Sequence, residues 1–202
     1  MKCVKSIASL AFVMATLAPG AVTANSLTFQ NVTFEMLASG NVLTLNIYNA
    51  PGANGGWFGI QSLASFEVKN VNTTNGLVTD TNTGRAWVYA AGGVNNGGAV
   101  GCGGGDTASS CFNAKLDAND ANLNPAGLSN TMSWEITYGA PVDLSAPSLK
   151  VMFLDGSGAK QGSLLSAVVP VPEPEIYAMM GVGLALLGWM GRRNKLAQTA
   201  RA

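Results

Sequence analysis

The sequence contains no histidine, and that omission removes more chemistry than any motif in the chain supplies. Without imidazole there is no Ser–His–Asp or Cys–His nucleophile, no histidine-held metal and no ordinary general base for neutral pH. Cysteine is nearly as scarce, with three in 202 residues. Charge is scarce too: Asp, Glu, Lys and Arg make up 11%, less than half the roughly 25% usual for soluble domains. The eleven basic and eleven acidic residues cancel overall but are unevenly placed. Lys2 and Lys5 open the chain, and Arg192, Arg193, Lys195 and Arg201 close it. Between Asn25 and Val171, five basic residues (Lys69, Arg85, Lys115, Lys150, Lys160) face nine acidic ones (Glu35, Glu67, Asp80, Asp106, Asp117, Asp120, Glu135, Asp143, Asp155). A body near −4 has no basic patch to neutralise phosphates, which argues against nucleic acid as a partner.

What is present begins with a secretory signal. Lys2 and Lys5 make a positive start, "SIASLAFVMATLAPG" supplies an apolar stretch, and Val22 and Ala24 sit at the −3 and −1 positions of "AVTAN". Cleavage is expected after Ala24. Cys3 leaves with the signal, so an odd three cysteines become an even two. Cys102 and Cys111 then lie in an exported chain with eight residues between them, and one disulfide closing "CGGGDTASSC" is expected, with two free thiols as the alternative.

A second apolar stretch, "IYAMMGVGLALLGWM", runs from Ile176 to Met190 without a charge. As a helix it spans about 22 Å, short of the roughly 30 Å hydrocarbon core. Tyr177 and Trp189 stand near its ends, where amphipathic rings favour the interface, and Arg192, Arg193 and Lys195 can snorkel to extend it. Pro172, Glu173 and Pro174 keep the approach extended and accessible to a processing enzyme. The order Pro-Glu-Pro, short apolar helix, arginine cluster resembles the PEP-CTERM sorting domain of Gram-negative bacteria. The resemblance covers about Val171–Lys195, and "NKLAQTARA" continues past the arginines where such chains commonly stop sooner. It implies a sorting motif at Pro172, Glu173, Pro174, Arg192 and Arg193, recognition by exosortase, and transient residence in the inner membrane. It further implies delivery to the cell surface or extracellular matrix, in association with exopolysaccharide and biofilm.

Between the two signals, Asn and Gly account for about a quarter of residues 25–170 and break the chain into short runs. "NVLTLNIYN" alternates, with Leu43, Leu45 and Ile47 on its apolar face. "SLTFQNVTFEM" alternates at Leu27 and Phe29 and then changes phase to Val32, Phe34 and Met36, which predicts a bulge or tight bend. Further strands are expected over Ala64–Val71, Arg85–Ala90, Thr131–Tyr138 and Leu149–Leu154, with "SLLSAVV" as another candidate. No long window has a 3.6-residue period. The pattern predicts a mainly β fold, an antiparallel, jelly-roll-like β-sandwich over residues 25–168, after a signal peptide (1–24) and before a sorting segment (169–202). Ala91–Asn130, Gly-rich and polar, reads as a long surface insertion outside the core.

Candidate sites are few. Glu67 and Glu135 could form a carboxylate pair for glycoside hydrolysis, although strand carboxylates are commonplace. Asp117, Asn119, Asp120 and Asn122 have the oxygen composition of a calcium loop, but counting from Asp120, Pro125 and Thr131 stand where an EF-hand needs Gly and Glu. "GCGGGD" lacks the lysine of a phosphate loop. Trp57 in "GGWFG" and Trp87 in "AWVYA" could offer a glycan-stacking platform or could equally belong to the core. The sequence thus predicts a non-enzymatic surface or matrix protein with no catalytic residues, metal or cofactor. A carbohydrate-binding module for the cell's own polysaccharide is the alternative.

Overall fold

The computed structural model describes residues 23–95, 100–106, 108–163 and 167–170, with 180, 183 and 184. Residues 1–22 of the expected signal peptide (1–24), with Cys3, the motif residues Pro172, Glu173, Pro174, Arg192 and Arg193, and all but three residues of the 176–190 apolar stretch lie outside them.

Strict alternation builds the first three strands. β1 (Thr23–Phe29), β2 (Val32–Ser39) and β3 (Val42–Tyr48) form a meander in which Val32, Phe34 and Met36, then Leu43, Leu45 and Ile47, all point inward and are fully buried. The change of phase after Phe29 is a two-residue turn: Phe29 pairs with Val32, and Gln30 and Asn31 both take positive φ (48° and 68°). That geometry suits the right-handed twist of a hairpin and is tolerated by Asn. At the next turn only Gly40 has positive φ (59°), the pattern that wants glycine first.

The remaining strands are β4 (Ser62–Lys69), β5 (Leu77–Thr81), β6 (Ala86–Ala90), β7 (Ser109–Lys115), β8 (Ala126–Gly127), β9 (Thr131–Thr137), β10 (Ser148–Leu154), β11 (Lys160–Ser163) and β12 (Ala167–Val168). They complete two antiparallel sheets. The first has the order β1-β2-β3-β9-β5, and the second β11-β10-β4-β7-β6, with β12 on β10 and β8 on β4. The chain passes between sheets at β3→β4, β4→β5, β5→β6, β8→β9 and β9→β10. The fold is the mainly β, two-sheet class that the short alternating runs predict.

The core is the filling between the sheets. Met132, Trp134 and Ile136 join the first sheet's inward residues, facing Leu63, Phe66, Val68, Phe112, Leu149, Val151 and Phe153 of the second. Each fully buried Val, Leu, Ile, Met or Phe contributes about 1.5–3 kcal/mol of transfer free energy. Phe66 stands at the centre, its ring centroid 5.1 Å from those of Trp87, Phe112 and Trp134.

One expectation is overturned. Ala91–Asn130 is not an insertion outside the core, because it contains β7, which lies between β4 and β6 and places Phe112 and Ala114 in the main core. Its sequence, "SSCFNAK", hides this because both faces are covered: the outward Cys111 and Ser109 are as buried as the inward Phe112.

Candidate functional site

Two regions bring functional side chains together: the pole where the chain leaves the sandwich, and the outer face of the second sheet. At the pole, β12 pairs with the start of β10 (Ser148 with Val168, Leu149 with Ala167). Val169 donates its N–H to Pro147 O at 2.9 Å and is fully buried, which seats the chain before the exposed Pro170. The other terminus begins at the same pole. Asn25, fully buried in β1, donates its amide to Leu144 O at 2.9 Å, in the same connection that receives Val169. The bond after Ala24 therefore falls two residues into β1, and cleavage there leaves Asn25 to begin the strand.

On the outer face of the second sheet lies a glycine-rich flap, described over residues 91–95 and 100–106. Val94 bridges Cys102, Asn95 N–H donates to Gly101 O (3.0 Å), and Gly103 and Gly104 N–H groups donate to Gly93 O (3.0 and 2.8 Å). Cys102 and Cys111 are disulfide-bonded, with 5.9 Å between Cα atoms, and tie the flap to β7. Val94, Val100 and Cys102 cover Ala64, Cys111, Met152 and Leu154, a second small hydrophobic cluster. Glycine is required at 93, where a Cβ would come within 2.7 Å of the Glu67 carboxylate.

Beneath the flap sits a charged cluster. Glu67, fully buried in β4, accepts the Val94 N–H at 2.7 Å, and its Oε1 is 3.1 Å from Lys69 Nζ. Lys150, its cross-strand neighbour on β10, lies 4.0 Å from Oε2 and donates to Val94 O at 2.7 Å. Lys69 also contacts Asp106 Oδ2 on the flap. The cavity here, about 380 Å³, is lined by these four side chains and the flap backbone. Asp106, and less strongly Glu67, holds the Lys69 ammonium above its ordinary pKa. Lys69, aided by the Ala108 N–H, holds Asp106 below the usual carboxylate range. Burial pulls Lys150 down, opposed by the Glu67 charge. Sequence reading missed this cluster, since Glu67 and Lys69 alternate with the inward Phe66 and Val68 and so resemble an ordinary solvent face.

A third feature is a groove of about 480 Å³ between the edge strands β5 and β6, lined in part by Asp80, Thr81, Arg85 and Tyr89. Trp87 also borders it but is only 5% exposed: its ring packs on Phe66 and Trp134, and its N–H donates to Thr83 Oγ1 at 2.7 Å. Trp57 is 1% exposed, enclosed edge-on by Phe29, Phe34 and Phe153. Neither indole offers an open stacking face, because both are packed into the main core. The adjacent Phe58 ring is exposed, at 76%.

Glu67 and Glu135 lie on opposite outer faces, with the roughly 10 Å core between them, so they do not converge on one substrate bond. In the 117–122 loop, Asp117 and Asp120 spend a carboxylate oxygen each on the N–H groups of Asn119 (2.8 Å) and Asn122 (2.9 Å). No group of three or more His, Cys, Asp or Glu side chains suited to a metal occurs among the described residues.

Fold and exit together define a class: a β-sandwich whose last strand hands directly to a C-terminal sorting tail. The chain carries a PEP-CTERM protein-sorting motif, residues 170–194 matching the model of that family. The match begins at Pro170, one residue past the buried Val169. Such a motif implies export, processing by exosortase and transient membrane anchoring before surface display. Among the described residues no helix is long and apolar enough to cross a membrane. Comparison with curated proteins and with solved structures returned no match.

Proposed function

We propose that this chain is a non-enzymatic surface or extracellular-matrix protein whose body, residues 25–168, is the cargo that the sorting motif delivers to an exopolysaccharide-rich layer. The observation that carries this reading is the junction. The sandwich closes on Val169, and the matched motif starts at the exposed Pro170. A processing enzyme acting near Pro172–Pro174 would thus release a finished domain without disturbing a strand. The test compares mass and location of the chain in producing cells with and without functional exosortase. The expected result is a surface-located chain lacking Ile176–Ala202 in the first case and a membrane-bound chain retaining it in the second. A chain that keeps that segment and stays membrane-bound in both cells overturns the reading.

The alternative, a carbohydrate-binding module, is favoured by the β5–β6 groove rather than by the two indoles. Asp80 and Arg85 supply hydrogen-bonding groups there, beside the partly exposed ring of Tyr89. Glycan-array binding lost in Tyr89→Ala and Arg85→Ala chains supports it. Binding that survives both changes, or is absent from the unaltered chain, removes it.

A further inference from the structure

We propose that Lys69 and Asp106 become joined by an intramolecular amide bond, formed without another enzyme, with Glu67 relaying protons. Three groups required for that reaction meet beneath the flap. Lys69 Nζ, the nucleophile, touches the Asp106 carboxylate, the acceptor. Glu67 Oε1 is 3.1 Å from the same nitrogen, is buried, and receives no aligned hydrogen bond from any other donor. A carboxylate oxygen so placed is free to take a proton from Nζ and return it to the departing oxygen.

The arrangement exceeds what an ion pair needs. Lys69 and Asp106 keep side-chain exposures of 22% and 36%, and partly exposed pairs form in water without help. Glu67 has none, and burying a carboxylate costs several kcal/mol. Lys150 is the cation that keeps Glu67 balanced. The cluster holds two ammonium and two carboxylate groups, so condensing Lys69 with Asp106 leaves Glu67 and Lys150 as a matched pair. No charge is stranded in the product.

Atoms and charge balance without a co-reactant. The ammonium of Lys69 and the carboxylate of Asp106 yield one amide and one water. The C–N bond forms between Nζ and Cγ of Asp106, and one Cγ–O bond breaks. Of the three ammonium protons, one stays on the amide nitrogen and two leave with the oxygen as water, one of them by way of Glu67. The starting pair is ionised, each partner holding the other's charge, so Nζ must give up a proton before its lone pair can attack Cγ of Asp106. Fixed proximity is what makes that step attainable, because well-oriented intramolecular reactions reach effective molarities of about 10⁵ M and above. The bond would tie the flap to β4 as the disulfide ties it to β7.

Intact-mass and peptide analysis of the mature, disulfide-bonded chain purified from producing cells decides the matter. The chain is expected to be one water, about 18 Da, lighter than its sequence requires, with a branched tryptic peptide linking Lys69 to Asp106. Lys69→Arg keeps a cation but, as a guanidinium, offers no amine to be acylated, so it should show full mass. Glu67→Gln should slow bond formation about 100-fold or more. An unaltered chain of full mass, with Lys69 open to acetylation and to tryptic cleavage, overturns the proposal. So does a water loss that persists in Lys69→Arg, since that signals a succinimide instead. Unchanged kinetics in Glu67→Gln overturn the role of Glu67.

Discussion

Replacing Gly162 with alanine should be among the most damaging single-methyl additions in the chain, and a second glycine in the same hairpin calibrates it. Gly162 lies in β11 with φ +73°, and a Cβ there would overlap Cδ1 and Nε1 of the Trp57 indole. The indole has little room to retreat. It is 1% exposed, with ring centroids of Phe29 and Phe153 both at 5.1 Å and that of Phe34 at 5.9 Å. Gly158, in the turn between β10 and β11, has φ +78° and nothing within 4 Å of the would-be Cβ. Gly158→Ala therefore measures the backbone cost alone, about 1–2 kcal/mol. Gly162→Ala adds overpacking of about 1–3 kcal/mol, for a total near 2–5 kcal/mol. At about 2–4 °C per kcal/mol for a domain of this size, the two variants should differ by roughly 2–12 °C in Tm. Urea and thermal unfolding followed by tryptophan fluorescence read both. Equal losses would refute the argument, since they would mean that Trp57 is not wedged against β11.

Three further outcomes follow from the same structure. Reducing Cys102–Cys111, measured in a Lys69→Arg chain so that no other covalent tie holds the flap, should cost about 2.7 kcal/mol from the loop-closure relation for a ring of roughly ten residues. Hydrogen exchange should then quicken at Val94, Asn95, Gly103 and Gly104, and equal quickening in β3 would contradict a locally held flap. Burial raises the Tyr138 phenol to about 12 from 10.0, against a smaller opposing effect of the Ser110 hydroxyl. Because the folded pKa lies above the unfolded one, stability is intact below pH 10 and falls as pH rises toward 12, by about 2–3 kcal/mol. Tyr138→Phe should abolish that alkaline loss, and parallel pH profiles for the two chains would exclude Tyr138 as its source. Asn25→Ala, which strips Leu144 O of its buried donor, should lower unfolding free energy by about 1–3 kcal/mol in denaturant titration, while no change would show that the carbonyl finds another donor.

How far the sequence revealed this architecture depended on how many faces of each strand are covered. β2 and β3 were legible because one face meets the core and the other is only half-covered, so Val32, Phe34, Met36, Leu43, Leu45 and Ile47 stand out at period two. β10 is buried at every position, and its apolar run "LKVMFL" still announced it within one residue. β7 did not announce itself, because its buried outward residues are small or polar and need the flap above them to be hidden. β5, an edge strand with Leu77 67% exposed and a register shift between Val78 and Asp80, has too little burial to imprint a pattern. The charged cluster was illegible for a related reason. Nothing in "FEVKN" says that Gly93 will press a backbone onto Glu67, since that requires knowing where a glycine hairpin 26 residues later comes to rest. The sorting motif, by contrast, is a linear pattern over residues 170–194, and it needed no fold to be recognised.

The placement of the two ends has a physical consequence for delivery. Asn25 and Val169 are both held by the connection between β9 and β10, through Leu144 O and Pro147 O, so the start and finish of the body share one pole. The five residues between Pro170 and Ile176 can span no more than about 18 Å fully extended. Under the proposed route, the anchored domain would therefore sit close over the bilayer with this pole beneath it. Of the loops at that pole, Gly40–Asn41 and Asn70–Asn75 are uncharged and rich in amide and hydroxyl groups, while the β9–β10 connection beside them carries the exposed carboxylate of Asp143. The exposed Phe58, beyond the far ends of β3 and β4, would point away from the membrane. Under that route, once the signal has left after Ala24, a single cut beyond Pro170 would free the domain and leave the hydrogen bonds that seat Asn25 and Val169 in place.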